Sequence, residues 1–189
     1  MKVLCAIQSL DDRAIQLVDY SALLSIDSGA DMTLEGSHNI LSNAHRPVSI
    51  TGEGIPSLAL GAMEETIRIS KDHIHELKDR ALRRGVENVE VDFRIGPLSH
   101  QIVDVDEENG SHLWTVLRRS NSSWMNDVLG TMETDLSKRL SSPTLVVPFT
   151  SKYRKPKKLL VLVGQGEERI GHRSFVDLKS RLAFDCHYL

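Results

Sequence analysis

The sequence predicts an α/β protein in which a parallel sheet carries helices on both faces. Three observations predict it. Short aliphatic runs alternate with longer amphipathic stretches in the order βαβαβαβαβ over residues 1–150, the arrangement that parallel strands joined by crossover helices require. The opening run KVLCAIQ, residues 2–8, is apolar almost throughout rather than alternating, as a strand covered on both faces is. Residues 113–148, LWTVLRRSNSSWMNDVLGTMETDLSKRLSSPTLVVP, read as strand, polar loop, Gly130-Thr131 opening a helix, and strand. In such sheets that loop and helix start lie at the carboxyl edge, where free backbone N–H groups and the helix dipole favour phosphate.

Each element follows from its local chemistry. After the first strand, Ser9, Asp11 and Asp12 offer a cap and first-turn acids for a helix reaching about Ser28. Its apolar positions Ala14, Leu17, Val18, Ala22 and Leu23 recur at helical spacing, and Ser28-Gly29 closes it. DMTLEG, residues 31–36, is the next strand. Residues 37–56 are polar, with two prolines, a length of loop that is usually functional or mobile. A helix over 57–84 is carried by Leu58, Leu60, Met63, Ile67, His73 or Ile74, Leu77 and Ala81, and Gly85 ends it after a basic last turn.

VEVDFRI supplies the third strand within 86–95, and Gly96-Pro97 starts a helix with Leu98, Ile102, Val103 and Val105 on its apolar side. The helix after Gly130 repeats Met132, Leu136 and Leu140, with Glu133 and Asp135 early and Lys138 and Arg139 late. Ser142-Pro143 stops it. The strand at 143–149 contains Pro148, which lacks an N–H and belongs at a sheet edge or strand end.

Composition bounds the function. The chain has 189 residues, 40% hydrophobic and 26% charged, with a formal charge of −3; this is a globular composition that argues against general nucleic-acid binding. Cys5 and Cys186 sit in apolar segments without metal-ligand spacing, so two buried thiols in a reducing compartment are expected. The start meets acids too soon for a signal peptide, and no run approaches the ~18 apolar residues of a membrane span. A cytoplasmic protein is the expectation.

Residues 151–157 belong to a basic, proline-containing linker. Beyond it KLLVLVGQGEER at 158–169 repeats KVLCAIQSLDDR at 2–13: lysine on lysine, aliphatic on aliphatic, then a turn, two acids and an arginine. An amphipathic segment and the short run AFDCHYL follow in the same order as the first helix and second strand. Residues 158–189 therefore read as the β-α-β start of a second copy. Such a unit cannot bury a core of its own and must lean on the first domain, pair with another chain, or be disordered.

Residues 1–150 resemble the universal stress protein family. The resemblance rests on KVLCAIQSLDD, on RRGVENVEVDFRIGPLSHQIVDV and above all on VLGTMETDLSKRLSSPTLVVP. It implies a Rossmann-like three-layer α/β/α fold with a five-stranded parallel sheet of order 3-2-1-4-5. It also implies dimerisation through the edge of the fifth strand, placing Thr144, Val146, Val147 and Phe149 at the interface. The partial repeat resembles the tandem members of that family.

The departures from the family pattern bear on the ligand. Nucleotide-binding members close the first strand with Asp, where this chain has Gln8, and Gly164 in the partial copy. The family's loop of form Gly-x2-Gly-x9-Gly-Ser/Thr maps onto Leu117, Ser120, Gly130 and Thr131, so only the last two fit. The missing glycines would let the backbone close around a triphosphate, and Trp124 adds a large ring. The preferred reading is a degenerate site, with no cofactor, in a non-catalytic regulatory module. The alternative is an ATP or AMP sensor using Gln8, Ser120, Ser122, Ser123, Gly130 and Thr131 in the 117–131 loop.

Other chemistry is weaker. His73 and His75 are two apart on a helix and face different ways, and His38 and His45 lack partners at ligand spacing. There is no G-x-S-x-G elbow, C-x-x-C, Walker loop or G-x-G-x-x-G after a strand, and Ser9 reads as a helix cap. An enzyme is not expected, although weak ATPase activity is left open. SKYRKPKK holds five basic residues in eight and one Tyr, and reads as a solvated linker rather than a nucleic-acid contact.

Overall fold

The computed structural model describes residues 1–7, 11–38, 57–109, 113–118, 132–148, 151–161 and 173–188. In chain order these form β1 (Lys2–Ile7), α1 (Asp12–Ser28), β2 (Asp31–His38), α2 (Ser57–Arg84), β3 (Val89–Ile95), α3 (Leu98–Asn109), β4 (Leu113–Arg118), α4 (Met132–Arg139), β5 (Thr144–Val147), β6 (Lys158–Val161), α5 (Arg173–Leu182) and β7 (Asp185–Tyr188). The first five strands make one parallel sheet of order β3-β2-β1-β4-β5, the order that the resemblance implies.

Residue alternation assigns the two faces of the sheet. Val3, Cys5 and Ile7 of β1 with Met32 and Leu34 of β2 pack against Ala14, Leu17 and Val18 of α1 and Ile74, Leu77 and Ala81 of α2. Leu4 and Ala6 turn the other way, toward Leu98, Ile102 and Val105 of α3 and Leu136 of α4. Gly36 sits at a close approach: a Cβ there would collide with the Ile74 side chain, which is fully buried.

Local chemistry sets the helix ends. Asp11 is the cap of α1, its carboxylate accepting from the Arg13 N–H at 2.9 Å. Gly29 closes the helix at φ 59°, in the left-handed region where glycine carries no Cβ penalty. Within α1 the buried leucine beside Ala22 is Leu24, whereas Leu23 is half-exposed. The spacing expectation erred by one residue because both leucines border the apolar face. Strand β2 runs to His38, two residues beyond the expected end, because Ser37 and His38 continue the ladder with Arg94 and Ile95. Cys5 is buried, and burial pushes its thiol up to about 12; Cys186 is only partly buried, and both are free thiols.

Asp106 of α3 ties the connection between α4 and β5 to the sheet. Its carboxylate accepts from the Ser141 N–H and hydroxyl, both at 2.7 Å, and from the Ser142 N–H at 3.2 Å. Three donors satisfy a side chain that is 2% exposed.

Beyond β5, β6 and β7 pair in parallel as a separate two-stranded sheet, with Lys158 opposite Asp185 and Val161 opposite Tyr188. Leu178, Leu182 and Phe184 join the same core cluster as α1. The segment before β6 is held as well: the Tyr153 hydroxyl donates to Asp27 at 2.8 Å, and its ring meets Tyr20 edge to face.

Candidate functional site

The sheet order places a topological switch at β1. Its chain continues to β2 on one side, while β4 joins it on the other, with Cys5 opposite both Leu34 and Val116. Open α/β sheets bind ligands outside the carboxyl ends of the strands at such a point. Strand β1 ends at Ile7, β4 ends at Arg118, and α4 starts at Met132. The residues continuing from those ends include the sequence-derived ligand set. Gln8, Ser120, Ser122, Ser123, Gly130 and Thr131 all lie outside the described residues, as do Ser9, Trp124 and Phe149.

Leu117 does not belong to the loop. It is a β4 residue opposite Val146, fully buried in the cluster with Leu4, Ala6, Ile102 and Leu136. The loop therefore begins after Arg118. An aliphatic side chain at this point faces the α3–α4 layer, and the hydrophobic run of the strand extends through it.

At the end of the order, β5 pairs with β4 on one side and has no second neighbour among the described residues. Val147 is buried against the α1 face, Thr144 is partly buried, and Val146 is 37% exposed. Valine exposed on an edge strand leaves an apolar position beside unpaired ladder groups.

The most perturbed acid among the described residues belongs to no motif. Glu35 lies in β2, opposite Ala6 on one side and Asp92 on the other. It is 0% exposed, and neither carboxylate oxygen has a hydrogen-bond partner among the described residues. Burial pushes its pKa up to about 8, the Asp92 carboxylate adds to the rise, Arg94 opposes it, and Glu108 adds a little more. Arg94 is itself committed to Asp92 at 2.7 Å and Glu108 at 3.1 Å. The only sequence signal was an acid in phase with Thr33, on the strand face that α3 covers. His73 is half-buried and His75 exposed on α2, and no cluster of three metal-ligating side chains occurs among the described residues.

Comparison with solved structures follows the sheet. The chain superposes on a universal stress protein in complex with cAMP with a TM-score of 0.56 and 15% identity, covering 79% of this chain and 98% of that one. A universal stress protein from Lactobacillus plantarum gives 0.55 and 13% identity, covering 78% and 97%. The fold is that of the universal stress proteins. A universal stress protein from Archaeoglobus fulgidus DSM 4304 gives 0.54 and 12% identity, and there the match covers 99% of this chain and 75% of that one. No protein-family model and no curated protein matches the sequence; the likeness is one of fold. No helix among the described residues is long and apolar enough to cross a membrane.

Proposed function

We propose that this chain is a tandem-type member of the universal stress protein family, acting in the cytoplasm as a non-catalytic stress-response module. Its working surface is the β5 edge, through which two copies pair using Thr144, Val146, Val147 and Phe149. The observation that carries this reading is Val146: an exposed valine on a strand with one free side. Residues 1–150 form the first domain, 151–157 the linker, and 158–189 the start of a second copy. The β-α-β order of β6, α5 and β7 supports that division.

The nucleotide site is degenerate in this proposal. Gln8 stands where the family pattern has a carboxylate, and Leu117 contributes its side chain to the core where the pattern has the first loop glycine. A second reading, an ATP or AMP sensor using the loop between β4 and α4, draws support from the switch point at β1 and β4 and from the cAMP held by one structural neighbour.

Sedimentation velocity of the full chain and of Val146→Lys separates dimer from monomer: the proposal expects a dimer that the lysine dissociates, and a monomeric native chain overturns it. Calorimetric titration with ATP and with AMP separates the two ligand readings. No heat of binding is the expected result, and micromolar affinity would replace the degenerate-site reading with the sensor.

A further inference from the structure

An opening away from the carboxyl edge lies between α1, the end of α2 and residues 151–153. It is a cavity of about 540 Å³ on the side of α1 turned away from the sheet, lined among others by Asp19, Tyr20, Leu23, Arg84, Lys152 and Tyr153. That volume lies in the range of small-molecule sites, ~300–1,000 Å³.

Its walls divide into an apolar and a charged part. Leu23 and the rings of Tyr20 and Tyr153 supply the apolar surface, and the two rings stand edge to face with centroids 5.1 Å apart. The hydrogen bond from Tyr153 to Asp27 fixes the outer ring, so the wall is preformed. On the charged side Asp19 accepts from Arg80 at 2.7 Å and from Arg84 at 2.7 and 3.1 Å. One carboxylate thus faces two guanidiniums, and Lys152 adds a third cation at the cavity rim. Two paired arginines already satisfy Asp19, so a cationic guest would find no acceptor there. An anion would meet the excess positive charge and the remaining donors.

We propose that this cavity binds a small organic anion with a flat apolar body, the ring lying against Leu23 and the tyrosines and the acid group toward Arg84 and Lys152. The bound molecule spans the first domain and the segment leading to β6, so its binding holds that segment in place. Leu23, which the helical spacing places on the core face, instead serves as the floor of the site.

The test uses the full chain and a fluorescent pair: 8-anilinonaphthalene-1-sulfonate and its uncharged parent, N-phenyl-1-naphthylamine. The sulfonate should saturate one site, with the uncharged amine at least tenfold weaker. Lys152→Glu changes an exposed side chain and should weaken the sulfonate about tenfold without affecting the amine. Leu23→Glu should abolish binding of both. Non-saturating fluorescence, equal affinity for the two probes, or sulfonate binding indifferent to Lys152→Glu overturns the proposal. So does a folded Leu23→Glu variant, checked by circular dichroism, that still binds the sulfonate as the native chain does.

Discussion

The guanidinium of Arg181, on the last turn of α5, donates to the carbonyl of Ser28 at 3.1 Å and to that of Gly29 at 3.3 Å. These are carbonyls at the C-terminal end of α1, where helix groups lack partners and the dipole is negative. One side chain thus ties α5 to the end of α1 by capping a helix more than 150 residues away, while Asp177 steadies it from behind at 3.0 Å.

Arg181→Ala should therefore loosen the tail without melting the sheet. The loss is about 1–2 kcal/mol for charge-assisted hydrogen bonds at a half-exposed site. Limited trypsin digestion followed by mass spectrometry checks it: cleavage within 151–188 should accelerate several-fold, with the cleavage rates at sites before residue 148 unchanged. Equal cleavage rates would show that the apolar contacts of Leu178, Leu182 and Phe184 carry the docking alone.

Asp106 offers a second test within the first domain. Its three hydrogen bonds set the turn that delivers the chain to β5. Asp106→Ala takes the acceptor from the buried Ser142 N–H and from the more exposed Ser141 N–H and hydroxyl, which costs about 2–3 kcal/mol. Urea unfolding should show the midpoint drop with an unchanged slope. Because the turn precedes β5, sedimentation should also report weaker self-association.

The path from sequence to fold was short here because each helix has clear ends and a periodic apolar face. Strand β1 is apolar on both faces, Asp11 and Gly29 bracket α1, and Gly85 and Gly96 at φ 104° and 134° bound the β3 segment. What pattern could not supply was the side-chain partnership of residues far apart in sequence. The pairing of Asp19 with Arg80 and Arg84, like that of Tyr153 with Asp27, depends on which helix faces meet. Glycine spacing sets Leu117 in the loop because it counts residues without sensing where β4 ends, and the ladder with β5 carries β4 to Arg118, one residue past Leu117. Of the sequence-derived interface only Thr144, Val146 and Val147 fall among the described residues, and the two valines, alike in type, differ in exposure because successive strand residues face opposite sides of the sheet.

Gly36 is a third point at which a small change should be felt. Its missing Cβ admits Ile74, and a Cβ placed there would also stand 3.5 Å from the Phe93 ring. Gly36→Val introduces three carbons where α2 meets β2, and overpacking of this kind costs about 1–3 kcal/mol. Thermal unfolding should fall by several degrees for a chain of this size. Pairing it with Ile74→Ala should recover part of the loss, since the two side chains compete for one volume. A purely additive double variant would show that the cost arises elsewhere.

The buried Glu35 carboxyl makes the fold sensitive to base. An unfolded chain releases this proton near the ordinary glutamate value of 4.5, whereas burial holds it in the folded state up to about 8. Between those values the native state binds the extra proton, so stability falls as pH rises through the window and levels off above it. The stabilising contribution is fully present below pH 4.5 and gone above pH 8, a span on the order of 5 kcal/mol at most. Glu35→Gln keeps the shape and removes the titration. Urea unfolding at pH 5, 7 and 9 should show the native chain losing stability relative to the variant at each step, with the variant the more stable at pH 9. Parallel pH profiles for the two proteins would mean that the carboxyl finds a partner or water in solution and ionises as an exposed glutamate does.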